Sequence, residues 1–331
     1  MTSPSFLTLP DGHILPLEAQ GGQDRSCHVF EQASIDAVNA ALATHRPLLI
    51  RGAPGTGKSQ LARAAAQALG RAFVMRSVDS RTETRDLLWE VDAVGRLARA
   101  QVLGALERGS IKEADERMSL KAFVEPGPLW WAFDWGSAKT QAKQLHKAPP
   151  WTPPGWDEEK GGVVVLCDEI DKADSSVPQG LLDALGHGRF DVPGFEAPIA
   201  LDRARFPLII FTTNEERTLP DAFVRRCWVL PLALPSEHDE LVTWLMVRGR
   251  AHFNEEKGTP CDESILREAA DQLATDRASM LARRLYAPGL AEYLDVLRAL
   301  TTIAKTVDEQ SELLERIKGF AFDKNDPERP R

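Results

Sequence analysis

The chain has 331 residues, 43% of them apolar, a length that allows two domains and a composition sufficient for ordinary cores. Its 49 acidic residues outnumber 40 Lys plus Arg, and the resulting charge of −9 argues against wholesale nucleic-acid binding. Four cysteines (Cys27, Cys167, Cys227, Cys261) lie far apart with no C-x-x-C pair, against a disulfide framework or zinc site; with no signal-type or membrane-length apolar run, a cytoplasmic protein without membrane insertion is expected.

Residues 1–26, rich in Pro, Gly and Asp, read as an extended arm or short hairpin, and a helix is expected from about Gln32 to Ala43. Next comes a short apolar run, Pro47-Leu48-Leu49-Ile50, then Gly-Ala-Pro-Gly-Thr-Gly-Lys-Ser at 52–59, then a helical Leu61–Ala66 segment. Strand, G-x-x-x-x-G-K-[ST] and helix in that order form a phosphate-binding loop. The glycines let successive backbone N–H groups face inward as a nest for phosphate oxygens at a helix N-terminus. Gly52, Ala53, Pro54, Gly55, Thr56, Gly57, Lys58, Ser59 and Gln60 are therefore the candidate nucleotide-binding residues. Lys58 would reach the β- and γ-phosphates, and Ser59 would ligate Mg²⁺. The pattern points to a nucleoside triphosphate.

A second strand is expected at Ala72–Arg76, and the apolar residues between Val91 and Leu106 suit a helix or helix pair. Five of the eight tryptophans lie between Trp130 and Trp156, in or beside a Pro-rich island at residues 134–161. Pro149, Pro150, Pro153 and Pro154 predict no regular helix or central strand across the island. Two readings remain open for it, an ordered loop pinned by aromatic packing and a partner-binding surface.

Val163-Val164-Val165-Leu166-Cys167-Asp168-Glu169 is a continuous apolar run ending in acid, as suits a central parallel strand. Asp168 would hold Mg²⁺ through water, and Glu169 would orient or deprotonate the attacking water. A helix over Val177–Leu185 ended by Gly186, a hairpin-like stretch at 188–194 and a strand over Pro207–Asn214 come next. From Pro235 the pattern turns to amphipathic helices, at Glu240–Arg250 with a Ser236/Asp239 capping start, then near Asp262–Ala274, Gly289–Val307 and Asp308–Gly319. The charged end, DKNDPERPR, is expected to fray. The fold class is α/β, a parallel sheet flanked by helices and followed by a smaller all-α lid. The boundaries read as arm 1–27, nucleotide-binding core 28–234, lid 235–320 and tail 321–331.

GAPGTGKS (52–59), TRDLLWEVD (84–92), EPGPLWWAF (125–133), VVVLCDEIDKAD (163–174), FTTNEE (211–216) and LPDAFVRRC (219–227) together resemble the AAA+ ATPases. Within them the chain is similar to the MoxR group, near the CbbQ, NorQ and dynein-related branch, over roughly residues 28–305. The resemblance implies ATP as nucleotide. It makes Asn214 a polar sensor, at the tip of a strand lying between the phosphate-loop strand and the acidic strand, that binds the γ-phosphate and the attacking water. It makes Arg226, with Arg225 beside it as fallback, an arginine that acts on a neighbouring subunit's nucleotide. An arginine acting in trans implies a homo-oligomeric ring, most simply a hexamer. The family's lid arginine falls at Ala291, in Pro288-Gly289-Leu290-Ala291-Glu292, which leaves Arg283 or Arg284 as candidate substitutes. The island between the GPL segment and the acidic strand puts Lys58 and Asp168 110 residues apart. By resemblance, the activity is ATP-driven remodelling or activation of a protein client beside a von Willebrand factor A domain partner. A nucleotide-gated signalling or defence switch and a nucleic-acid-directed motor are the competing readings.

Overall fold

A computed structural model describes residues 6–19, 25–106, 118–253 and 261–322. Contacts divide the chain into two units, one built from residues 1–9, 33–51 and 62–230, the other from 10–32, 52–61 and 231–331. Strands in chain order are β1 (Ile14–Leu17), β2 (Ser26–Val29), β3 (Leu48–Arg51), β4 (Ala72–Ser77), β5 (Trp89–Val91) and β6 (Val124–Pro126). They continue with β7 (Val163–Asp168), β8 (Arg189–Phe190), β9 (Ile199–Ala200), β10 (Leu208–Thr213) and β11 (Trp228–Pro231).

The first unit is organised by a five-stranded sheet of order β11-β3-β10-β7-β4. β10 pairs in parallel with β3 and with β7, and β7 in parallel with β4. Val164, Val165, Leu166 and Cys167 on β7 and Ile210 and Phe211 on β10 are fully buried. Strands covered on both faces read as unbroken apolar runs, which is why these segments do not alternate. Each such aliphatic side chain contributes roughly 1.5–3 kcal/mol by leaving water. Register sets Thr213 opposite Arg51 and Phe211 opposite Cys167, so β3, β10 and β7 finish together at one edge. The helix Lys58–Ala68 comes after β3, and its Ala62, Ala64, Ala65 and Ala66 are fully buried. Methyl side chains let that helix lie close to its neighbours.

Three expectations need correction. Residues 134–161 are not free of helix: Trp135–Gln144 is one, N-capped by Asp134, whose side chain accepts the Ser137 N–H. The four prolines all fall after that helix and constrain only the segment from 149 to 154. The tryptophans are packing residues. Trp130, Trp131 and Trp135 are buried, and Trp135 meets Trp131 at 4.9 Å and Trp156 at 4.7 Å between ring centroids. Trp151 pairs through its backbone with Phe73, shielding part of the edge strand β4. Second, the stretch from Val91 is not helix alone: β5 pairs with β6, and the helix Ala93–Leu106 leaves from β5. Third, Gly186 does not end its helix. The helix runs Ser176–His187, and Gly188 ends it with φ 65°, a left-handed value that glycine adopts without strain.

In the second unit β1 and β2 form an antiparallel hairpin, with Ile14 opposite Val29. Four helices come later in the chain, His238–His252, Glu263–Ala282, Leu290–Ile303 and Val307–Ala321. Their shared core holds Leu245, Leu266, Leu273, Tyr293, Leu297 and Leu314. Asp262 caps the second helix and a Thr306/Glu309 capping box starts the fourth. The first helix is capped by Glu237 without a side-chain bond, so the Ser236/Asp239 start is not used. The expected frayed tail lies outside the described residues from 323 onward.

Candidate functional site

In the first unit the acids sit at the end of β7. Asp168 is its last residue, and Glu169 comes next in a left-handed conformation, φ 60° and ψ 48°. That conformation costs a non-glycine residue about 1–2 kcal/mol and persists where neighbours hold it. Here they do. The Glu169 N–H donates to Thr212 Oγ1 at 2.8 Å, and the Thr212 hydroxyl donates to Asp168 Oδ1 at 2.5 Å. One buried threonine on β10 thereby fixes both acids. The Glu169 carboxylate accepts from Asn214 Nδ2 at Oε1, 2.9 Å, and from Lys172 Nζ at Oε2, 2.6 Å. The hydrogen bond to Glu169 raises Lys172 above the usual lysine value.

The loops after β7 and β10 are tied together again below this point. Asp171, almost fully buried, accepts the Glu216 N–H at 2.9 Å, and Arg217 Nη1 donates to the Lys172 carbonyl at 3.3 Å. Arg225 and Arg226 come just after the single-turn helix Asp221–Val224, both exposed. Arg226 Nη1 reaches back to the Ala222 carbonyl at 3.1 Å.

In the second unit the phosphate loop spans Gly52–Lys58. A Cβ on Gly52 would lie 2.2 Å from the Leu232 carbonyl oxygen, so only glycine fits there. Gly55 has φ 76°, in the left-handed region. Lys58 is buried, and its ammonium donates to the carbonyls of Gly52 at 2.7 Å and Ala53 at 2.8 Å. Thr56 Oγ1 bonds the Ala53 carbonyl at 3.0 Å, and the Leu61 N–H takes up the Gly57 carbonyl at 2.9 Å, which starts the helix. Ser59 and Gln60 are half-buried in that first turn. The N-terminal turn of a helix carries partial positive charge toward anions.

The helix Leu290–Ile303 begins against this loop: a Cβ on Gly55 would sit 3.1 Å from the Ala291 Cβ. A methyl group therefore stands at the lid position where an arginine is expected. Arg283 and Arg284 are exposed at the end of the helix Glu263–Ala282. Arg277, which sequence reasoning did not single out, donates to the Pro288 carbonyl at 2.8 Å and braces the turn before Ala291. Nearer the hairpin, burial, aided by the Arg248 charge, pushes His28 down to about 3. Arg248 itself pairs with Glu31 and stacks on Trp244, 3.3 Å from the ring centre.

A family profile described as AAA domain (dynein-related subfamily) matches residues 47–227, more than half the chain. The chain belongs to this family. The matched span of the AAA domain holds the phosphate loop, Asp168, Glu169, Asn214, Arg225 and Arg226, and stops before the four C-terminal helices. Among solved structures, the chain is similar to a proline-to-glycine mutant of Thermotoga maritima RuvB, with TM-score 0.46 and 15% identity over 87% of this chain and 69% of that one. The Thermotoga maritima RuvB Holliday junction branch migration motor gives TM-score 0.43 and 14% identity over 86% and 67%. Similarity this low carries no activity across. No curated protein matches the chain.

Within this AAA domain, sequence reasoning missed Thr212 and Lys172. Thr212 looks like β-branched strand filler, and only its position two residues before Asn214 hints at more. Lys172 reads as a surface charge until the turn Ile170–Lys172 folds it back on Glu169.

Proposed function

We propose that this AAA domain binds and hydrolyses ATP with Mg²⁺ as a subunit of a ring that remodels or activates a protein client. The observation that carries hydrolysis, as against binding alone, is Glu169 held in a left-handed backbone by Thr212 with its carboxylate against Asn214. A strained, multiply held carboxylate beside an amide suits a group that positions one water. Lys58 and the loop N–H groups bind the phosphates in this reading, and Ser59 and Asp168 hold the metal. Their oxygens are hard donors of the kind Mg²⁺ takes while keeping several waters, so a larger protein cage is not required. When bound, Mg²⁺ neutralises charge on the β- and γ-phosphates. Asn214 bonds the γ-phosphate and water, and Arg226 completes a neighbour's site. The finer reading is a MoxR-like hexamer working beside a von Willebrand factor A domain partner, supported by the motif strings and by the exposure of Arg225 and Arg226.

Equilibrium binding of labelled ATP and steady-state turnover test the reading in two variants. Lys58→Ala should lose binding, because the ammonium clamps phosphate in the ground state. Glu169→Gln should keep binding and lose turnover, because the carboxylate acts only on the attacking water. Near wild-type hydrolysis by Glu169→Gln would sink the assignment. Capture of the client and partner on the Glu169→Gln protein, with ATP present, then identifies them.

A further inference from the structure

The second unit carries a groove of about 570 Å³ between the end of the hairpin β1–β2 and the helix His238–His252. Val29, Pro235, Trp244 and Val247 give it apolar walls. The tryptophan is fixed before any partner arrives. Its indole N–H donates to Glu31 Oε1 at 2.7 Å, Arg248 pairs with the same carboxylate, and the Arg248 guanidinium stacks over the indole ring.

The rim has the opposite character. Asp11, Asp239 and Glu240 stand exposed along it. Asp11 accepts the Gln32 backbone N–H at 2.9 Å. Among the described residues, no ion pair holds any of the three acids, and Arg248, the single cation lining the groove, is engaged by Glu31. Three unneutralised carboxylates around apolar walls repel nucleic acid and acidic lipid. They suit a chain that carries cations on apolar stems, because such side chains lay the stem along apolar surface and keep the head at a polar edge.

We propose that this groove docks a lysine- or arginine-bearing segment of a partner protein, its aliphatic stems against Trp244 and Val247 and its cationic heads among Asp11, Asp239 and Glu240. The proposal goes beyond the ATPase reading and does not depend on it, since no residue of the groove is assigned to nucleotide.

The test uses the full chain and short labelled peptides that alternate leucine with arginine, lysine or glutamate, followed by fluorescence polarisation without nucleotide. The arginine and lysine peptides should bind, the glutamate peptide should not, and added salt should weaken binding. Asp239→Asn combined with Glu240→Gln should weaken it about fivefold, as expected for two exposed ion pairs, and leave ATP turnover at the wild-type rate. Thr243→Arg places bulk and a cation in the groove from an exposed position; it should abolish binding, and it decides the matter if the double variant melts early. Failure of both cationic peptides to bind, or binding that neither folded variant alters, overturns the proposal. Three other results overturn it by naming a different occupant. Displacement of peptide by ATP gives the groove to the nucleotide, tighter binding after deletion of residues 323–331 gives it to the chain's own tail, and a changed oligomeric mass in the double variant gives it to a second copy. Near wild-type turnover by Glu169→Gln would sink the ATPase reading and leave the docking result standing.

Discussion

Asn214, the first residue past β10, donates its side-chain amide to Glu169, the first residue past β7, across 2.9 Å. The two residues are 45 apart in sequence, and the parallel pairing of β10 with β7 brings them together. On the proposed ATPase reading, the sensor amide and the base carboxylate therefore start in contact with each other. In that reading nucleotide and its water enter between them, so whatever sets the height of the two strand ends would set the site.

Thr212 is the part that sets it. Thr212→Val keeps the shape but leaves the Glu169 N–H unpaired and removes the donor to Asp168. Stability should fall by about 1–3 kcal/mol, read by denaturant unfolding. Turnover should fall about ten- to a hundredfold, the usual loss when an orienting partner of a metal-binding group is removed. Thr212→Ser, which keeps the hydroxyl, should recover most of both. Equal rates for the valine and serine variants would show that the hydroxyl does not orient the acids.

Trp135 tests what the Pro-rich island does. It is buried between Trp131 and Trp156. Trp135→Ala should cost about 3–5 kcal/mol, the range for emptying an aromatic site in a core. Replacing residues 134–161 with a Gly/Ser linker should then prevent folding, because the helix Trp135–Gln144 and the cover over Phe73 go with it. Thermal melting of both proteins decides this. A linker variant that melts like wild type would return the island to the role of a dispensable partner surface.

The site is legible in the sequence only where its information is local. Gly52–Ser59 and Val163–Glu169 are contiguous strings, and the roles proposed for them need no fold to be stated because each depends on neighbours in the chain. The place of β10 between β3 and β7 is expected on resemblance, and the sheet order agrees. Thr212, Lys172 and Asp171 act through contacts that exist only once two loops fold against each other, so their sequence neighbourhood is silent about them. The island misleads for a related reason. Prolines are visible breakers, whereas the packing that keeps Trp135–Gln144 helical ahead of them comes from residues outside it such as Trp131.

His28 predicts an acid-sensitive second unit. Its ring is buried near Arg248 and His252, against Phe30, with Gln60 as a hydrogen-bonding neighbour. Burial first, and the Arg248 charge second, lower it from 6.5 to about 3. A histidine depressed on folding contributes stability above its unfolded value, and that stability drains away as pH falls toward the folded value. The window is pH 6.5 down to about 3. The slope there approaches about 1.4 kcal/mol per pH unit, so about 2 kcal/mol should be lost between pH 6.5 and 5. His28→Phe removes the titration and should flatten that part of the curve. Urea unfolding at several pH values checks it, and equal slopes for both proteins would refute it.

Arg226 should act across a subunit boundary. It is exposed, and its guanidinium bonds the Ala222 carbonyl of its own short helix, a contact that a phosphate could replace. Arg226→Ala alone should bind ATP normally and hydrolyse it at least about a thousandfold more slowly, the lower range for losing an arginine finger. Lys58→Ala is dead in its own pocket but keeps Arg226. Mixing the two variants should restore some turnover, because mixed rings contain interfaces where an intact pocket meets an intact arginine. Mixing is confirmed first by tagged pull-down with nucleotide present. Arg225→Ala, mixed in the same way, shows which of the adjacent arginines carries the effect. Confirmed mixed rings with no recovered activity for either arginine would mean that neither acts in trans, and would remove the main physical reason for expecting a ring.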